Sequence, residues 1–135
     1  MGPIHNADAR NSSSIHVLVV EDFVPFREYI RSTLATERDL KVVAEVSDGL
    51  EAVRKAQELK PDLILMDVGL PSISGIEAAR RIRTLVPESK VIFLSQESSA
   101  DVIQMALDIG ACAYVLKSNA NTLLLKAVRT ALVRN

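Results

Sequence analysis

Five polar side chains that suit phosphate or metal chemistry stand at the ends of four apolar runs in this sequence. They are Glu21, Asp22, Asp67, Ser95 and Lys117. Asp67 ends the apolar run 63–66 in PDLILMDVGLP, and an ionised acid at the edge of a core is costly unless it is paired or takes part in a reaction. Carboxylate oxygens select a hard cation such as Mg²⁺, and an ammonium group suits a phosphoryl group or a carboxylate. The set therefore predicts a site of phosphoryl transfer in which Asp67 is the nucleophile.

Apolar runs typical of strands alternate five times with patterns typical of helices. Strands are predicted at 16–20, 41–47, 62–66, 90–95 and 113–117. Helices are predicted to begin at Pro25 and to cover 47–60, 74–86, 99–110 and 119–134. Short, continuously apolar strands that alternate with helices favour a doubly wound α/β fold with a five-stranded parallel sheet. Functional sites in such sheets form at the carboxyl ends of the strands, so the five polar side chains are expected to meet there.

Local signals fix several helix ends and faces. Asp48 with Glu51, and Ser74 with Glu77, have the spacing of a capping box at a helix start, and Gly110 is typical of a helix end. The last helix is predicted to place six apolar side chains on one stripe, namely Leu123, Leu124, Ala127, Val128, Ala131 and Leu132. Met105 and Ile109 on the fourth helix are candidates for partner binding, with packing in the core as the default expectation.

Composition narrows the class of protein. The 135 residues suit one domain, and the net charge of −1 gives no overall attraction to nucleic acid. No apolar run approaches the ~20 residues that span a bilayer, and the polar segment 1–14 lacks the apolar centre of a signal peptide. We therefore expect a disordered leader at 1–14, one domain at 15–135 and a cytoplasmic location. The single cysteine, Cys112, is interpreted as a small core residue.

Basic side chains cluster on two of the predicted helices. Those on the third are Arg80, Arg81 and Arg83, and those on the last are Lys126, Arg129 and Arg134. A basic run on one helix of a near-neutral domain is typical of a solvated face, and cations near a helix C-terminus favour its dipole. Direct binding of nucleic acid by this domain is therefore not expected.

The motifs, taken in order, resemble the response-regulator receiver domain, the CheY-like phosphoacceptor of two-component signalling. The resemblance is carried by VVED (19–22), LILMDVGLP with GIEAARRI, VIFLS and YVLK. The resemblance covers residues 16–135, and the sequences of the motifs are most similar to those of receivers in LuxR-type, NarL/FixJ-like regulators. It implies a flavodoxin-like strand order of 2-1-3-4-5 with five helices on two faces.

The resemblance also implies a role for each acid. Asp67 would accept a phosphoryl group from a phosphohistidine on a sensor histidine kinase or a histidine phosphotransfer protein. Mg²⁺ would bind Asp22, Asp67 and the main-chain carbonyl of Gly69, with Glu21 acting largely through water. The chain would then be a signalling switch that catalyses only its own phosphorylation, and it would not be a metabolic enzyme.

The remaining roles concern the response to phosphorylation. Ser95 and Lys117 would bind phosphoryl oxygens, and Tyr114 would swing inward as Ser95 moves. The fourth helix, fifth strand and fifth helix would present the changed surface to an output partner, to an effector domain outside these residues or to a second copy of the chain. No membrane partner is expected.

Gln96, directly after the hydroxyl position, leaves an alternative open. Gln96 stands where the family usually has a small residue, and Glu97 and Gly69 flank the site where the family tunes the lifetime of the aspartyl phosphate. Crowding by Gln96 favours the alternative that the chain is an unphosphorylated receiver that acts as a docking module. A flavin module is disfavoured because the acidic loop after the first strand would repel phosphate, and a haloacid-type phosphatase because Gly69 replaces its second acid.

Overall fold

The computed structural model describes residues 14–133, in which five strands alternate with five helices. The strands are β1 (Ile15–Val20), β2 (Leu40–Val46), β3 (Leu63–Asp67), β4 (Lys90–Ser95) and β5 (Ala113–Leu116). The helices are α1 (Val24–Leu34), α2 (Gly49–Leu59), α3 (Gly75–Leu85), α4 (Ala100–Asp108) and α5 (Ala120–Val133), with a 3₁₀ turn at Lys117–Asn119. The leader predicted at 1–14 falls outside the described residues except for its last position.

The five strands form one parallel sheet in the order β2-β1-β3-β4-β5, which confirms the predicted fold class and strand order. The register aligns Val20 of β1 with Met66 of β3, and Asp67 with Leu94 of β4. Residues that directly follow β1, β3 and β4 therefore emerge at neighbouring points on one edge of the sheet.

Alternate strand residues face two separate cores. Val17, Val19, Leu63 and Leu65 pack with buried residues of α1 and α5 on one face of the sheet. Leu18, Val20, Ile64 and Met66 pack with buried residues of α2, α3 and α4 on the other. Because both faces are covered, the central strands β1, β3 and β4 are apolar over most of their length, as expected for a parallel sheet. None of the helices within residues 14–133 has the length and apolar character needed to span a bilayer.

The helix starts agree with the capping predictions. The side chain of Asp48 accepts a hydrogen bond from the Glu51 N–H at 2.9 Å, and that of Ser74 accepts one from the Glu77 N–H at 3.2 Å. Gly110, just after α4, has a φ of +97°, a left-handed value that glycine adopts without strain.

Several predicted placements are wrong. Leu123 is 40% exposed and Met105 is 47% exposed, because the core faces of α4 and α5 are narrower than the apolar stripes in the sequence. Lys117 does not end β5 but begins the 3₁₀ turn. Arg129 binds Glu37 and Asp39 near the start of β2, so its role extends beyond the dipole of its own helix.

Candidate functional site

Three acids converge at the carboxyl edge of β1 and β3. Glu21 and Asp22 follow β1, Asp67 ends β3, and one oxygen from each lies within 4.8 Å of the others. The register that pairs Val20 with Met66 makes this convergence unavoidable, because the next residue of each strand is an acid. Glu21 is fully buried and Asp67 is 8% exposed, whereas Asp22 is exposed. The acid cluster is therefore buried at its base and open on one side.

Lys117 places an ammonium group against this acid cluster. Its Nζ lies 3.0 Å from Oε1 of Glu21 and 3.2 Å from Oδ2 of Asp67. The lysine reaches there from the end of β5, across the end of β4, and its Nζ also lies 4.8 Å from the centre of the Phe26 ring. A cation above an aromatic face is attracted to it. Phe26 thus supports the ammonium group from α1, a contact that the sequence analysis did not anticipate.

The charges in the acid cluster are not balanced. One ammonium group faces three carboxylates, and Oε1 of Glu21 has no hydrogen-bond donor at a favourable angle among residues 14–133 despite its ion pair with Lys117. Burial raises the pKa of Glu21, with a further rise from the nearby charge of Asp67, while the N–H of Phe23 and the amine of Lys117 oppose the rise. Hard oxygen ligands with excess negative charge fit a Mg²⁺ ion.

A second set of contacts surrounds Ser95 at the end of β4. The Glu97 N–H donates to Oγ of Ser95 at 2.9 Å, and the Tyr114 hydroxyl donates to the Glu97 carbonyl at 2.7 Å. Burial raises the pKa of Tyr114, and a hydrogen bond with Ser95 opposes that rise. The Tyr114 ring also lies 6.2 Å from the ring of buried Phe93. Ser95 and Tyr114 together hold the loop that leads to α4.

An open cleft of about 500 Å³ connects the two sets of contacts. It is lined by every residue that the sequence analysis assigned to the site except Glu21, which is buried below, and Tyr114, which lies behind Ser95. Gln96 and Glu97 are exposed in its wall. Phe23, which is 59% exposed beside Asp22, was not predicted from the sequence. The available signal in the sequence was an aromatic residue directly after an acidic pair.

Two glycines near Asp67 have different physical roles. The Gly69 N–H donates to Oδ1 of Asp67 at 3.3 Å, and an added Cβ at Gly69 would contact nothing within 4 Å. At Gly75, in contrast, an added Cβ would lie 2.0 Å from the Asp67 carbonyl oxygen. Only glycine lets α3 begin directly against the end of β3, so Gly75 is a second residue that the sequence analysis missed.

Comparisons with known proteins agree with this geometry. The family model described as "Response regulator receiver domain" matches residues 17–129. Response regulator protein VraR of Staphylococcus aureus is 40% identical over 116 residues, which are 86% of this chain and 56% of VraR. The chain therefore spans about half the length of the curated relatives it matches.

Solved structures show the same similarity. A LuxR-family two-component response regulator from Aurantimonas sp. SI85-9A1 has a TM-score of 0.85 and 31% identity, over 90% of this chain and 86% of the other. The response regulator domain of Thermotoga maritima CheB has a TM-score of 0.83 and 34% identity, over 90% and 98%. The signal receiver domain of the putative response regulator NarL from Mycobacterium tuberculosis has a TM-score of 0.85 and 27% identity, over 91% and 99%.

Proposed function

Because the chain belongs to the response regulator receiver family of two-component systems, we propose that Asp67 accepts a phosphoryl group from a phosphohistidine. The donor is a sensor histidine kinase or a histidine phosphotransfer protein. A carboxylate oxygen of Asp67 forms a bond to phosphorus while the bond from phosphorus to the imidazole nitrogen breaks. The imidazole keeps that electron pair and takes a proton from water. The observation that carries the proposal is the position of the Asp67 carboxylate, at the base of an open cleft and 3.2 Å from an ammonium group.

The acids have the chemistry needed to hold Mg²⁺. Asp22, Asp67 and the main-chain carbonyl of Gly69 would be the protein ligands, and Glu21 would act largely through water. The ion, when bound, neutralises negative charge on the incoming phosphoryl group and on the carboxylates. The exposure of Asp22 and the burial of Glu21 support this division of roles, because Asp22 lines the cleft and Glu21 does not.

Lys117 and Ser95 stabilise the product. Phosphorylation converts the charged Asp67 carboxylate into a neutral acyl oxygen bonded to a dianionic group, so Lys117 exchanges a carboxylate partner for a phosphoryl oxygen. The Ser95 hydroxyl, which accepts a hydrogen bond from the Glu97 N–H at 2.9 Å, gains a second phosphoryl oxygen as its acceptor. Since Ser95 and Tyr114 both hold Glu97, this new contact changes the loop that leads to α4.

The surface that changes is formed by α4, β5 and α5. Only Ala106 is buried within α4, so a shift of the preceding loop moves this helix at low cost. The similarity to LuxR-family regulators supports an output through an effector domain or a partner protein, with a second copy of this chain as a further partner. Phosphorylation by a histidine kinase would imply a cytoplasmic location for this domain. The domain is a signalling switch whose own chemistry is limited to Asp67.

The test is phosphorylation by a small acyl phosphate in the presence of Mg²⁺, followed by intact-mass measurement. The native sequence is expected to gain the mass of one phosphoryl group, and chelation of Mg²⁺ should prevent the gain. The Asp67→Asn variant should gain nothing. Asp62→Asn is the matched control, because Asp62 binds the His16 N–H at the opposite end of β3 and its loss should leave phosphorylation unchanged.

One observation favours the second candidate function, an unphosphorylated docking module. Gln96 lines the cleft and, together with Ser95 and Lys117, also lines a neighbouring pocket. If Gln96 excludes the phosphoryl donor, the native sequence gains no mass and Gln96→Ala does. A failure of both sequences would support the docking module and contradict phosphorylation at Asp67.

A further inference from the structure

The loop from Val68 to Ser74, which we call the acceptor loop, carries the candidate ligand Gly69 between β3 and α3. Its base is closed by a hydrogen bond of 2.7 Å from the Gly75 N–H to the Val68 carbonyl. Its far side, although exposed at Pro71 and Ser72, contacts the start of α2. The position of the Gly69 carbonyl therefore depends on what holds the far side of the acceptor loop.

The acceptor loop satisfies the first backbone donors of α2. The Gly49 N–H donates to the Pro71 carbonyl at 3.1 Å, and the Leu50 N–H donates to Oγ of Ser72 at 3.1 Å. These donors begin the helix and have no acceptor within it. The approach is close, since an added Cβ at Gly49 would lie 2.2 Å from the Ile73 carbonyl oxygen. The acceptor loop and the start of α2 therefore form one hydrogen-bonded unit.

Ser72 is the centre of this unit. Its hydroxyl donates to Oδ1 of Asp48 at 2.9 Å while it accepts from the Leu50 N–H. Its φ of 66° lies in the left-handed region that residues with a Cβ adopt rarely. The two hydrogen bonds hold Ser72 in this conformation. We call the contacts among Asp48, Leu50 and Ser72 the loop latch.

The same corner of the sheet also holds the other metal-binding loop. The Glu21 N–H donates to the Val46 carbonyl at 2.9 Å, at the end of β2 and two residues before Asp48. The loop with Glu21 and Asp22 is thus fastened to the end of β2, and the acceptor loop is fastened to the helix that follows β2. The spacing between the two sets of Mg²⁺ ligands is set through this shared corner.

We propose that the loop latch positions the acceptor loop for Mg²⁺, with Ser72 as a positioning residue that does not touch the ion. This inference rests on the proposed function. Without the latch, part of the population holds Gly69 away from Asp22, and binding must first restore the competent arrangement, which weakens the apparent affinity. Because one or two exposed hydrogen bonds are removed, we expect the apparent affinity for Mg²⁺ to fall about three- to tenfold.

The test is titration of the protein with MgCl₂ by calorimetry. Ser72→Ala and Ser72→Gly both lack the hydroxyl, but only glycine relieves the left-handed backbone, so both should bind Mg²⁺ about three- to tenfold more weakly while differing in stability. Ser72→Asn should restore binding, because its amide both donates and accepts and asparagine tolerates this φ. Ser74→Ala is the matched control, since the Ser74 hydroxyl caps α3 and makes no hydrogen bond to α2 within residues 14–133.

Hydrogen exchange gives a second measurement. The Leu50 amide should exchange faster in Ser72→Ala than in the native sequence or in Ser74→Ala. Equal Mg²⁺ affinity in the native sequence and Ser72→Ala, an equal loss in Ser74→Ala, or no recovery in Ser72→Asn would each overturn the inference. If the native sequence shows no Mg²⁺ binding that Asp22→Asn removes, the proposed function fails and the inference fails with it.

Discussion

At the scale of single residues, the site follows from where charged side chains leave the sheet. The sequence was sufficient to predict that Asp67, Ser95 and Lys117 lie together, because strand ends in a parallel sheet meet at one edge. It was not sufficient to predict Phe26 beneath the Lys117 ammonium group or Gly75 against the Asp67 carbonyl. Those two contacts depend on how helices lie on the sheet, which no spacing in the chain encodes.

The pKa of the Glu21 carboxyl group links the charge imbalance in the acid cluster to the stability of the protein. Its pKa is raised from the ordinary value of 4.5, mainly by burial. A carboxyl group with a raised pKa in the folded state binds its proton more tightly when folded. Its contribution to stability is therefore present at low pH and is lost as the pH rises from about 4.5 through the raised value.

We therefore expect Glu21→Gln to stabilise the protein at pH 7 without Mg²⁺, by on the order of 1 kcal/mol. The gain should disappear below pH 4, where both sequences are neutral at this position. Thermal unfolding of both sequences from pH 3 to 8 measures this difference in stability. A variant that is less stable than the native sequence at pH 7 would show that the Lys117 ion pair outweighs the burial of the charge.

At the scale of elements, boundaries were predicted to within two residues, and the errors have physical causes. Asp67 belongs to β3 because it continues the pairing with Leu94 of β4. Lys117 leaves β5 because the chain turns into a 3₁₀ segment. The stripe on α5 was too wide because hydrophobicity alone does not distinguish Leu124, which is buried, from Leu123, which is 40% exposed.

The C-terminal end of α2 carries a strained residue. Lys60 has a φ of 46°, and its N–H donates to the Ala56 carbonyl. It therefore adopts the left-handed conformation that is most often found at a glycine after a helix. Lys60→Gly should stabilise the protein by about 0.5–1 kcal/mol. Chemical denaturation measures the change. Lys60→Ala, which removes the charge but keeps the Cβ, should show no such gain.

α4 is expected to open more readily than its neighbours. Among its nine residues only Ala106 is buried, whereas α2 buries four residues and α3 buries five. Amide hydrogen exchange in α4 should be faster than in α2 and α3, by about tenfold or more. Equal protection of the three helices would contradict the proposal that α4 responds at low cost to the loop that Ser95 holds.

At the scale of the whole molecule, the α/β class and the strand order were predictable because a repeated strand–helix alternation leaves few topologies. Contacts between surface segments that are distant in the sequence were not predictable. Arg129 of α5 binds both oxygens of Asp39 at 2.7 Å and Oε1 of Glu37 at 2.6 Å. The sequence gives no periodic signal for an ion pair between residues 90 positions apart.

The Arg129 contacts fasten α5 to the segment before β2. They hold the pKa of Asp39 below its ordinary value, so their contribution to stability is present at neutral pH and is lost as the pH falls through that lowered value. Arg129→Met should lower the melting temperature at pH 7 by a few degrees, less so at high salt. Lys126→Met is the matched control on the same helix, because residues 14–133 show no acidic partner for Lys126, and it should have a smaller effect.

The contact between Lys117 and Glu21 joins residues 96 positions apart. During synthesis, a nascent chain would expose its first acids, then Asp67, long before the lysine leaves the ribosome. Until then the pocket lacks its own cation, and three uncompensated carboxylates oppose closure of the sheet edge. Under the proposed function, a chain that lacks β5 would therefore be a poor phosphoryl acceptor.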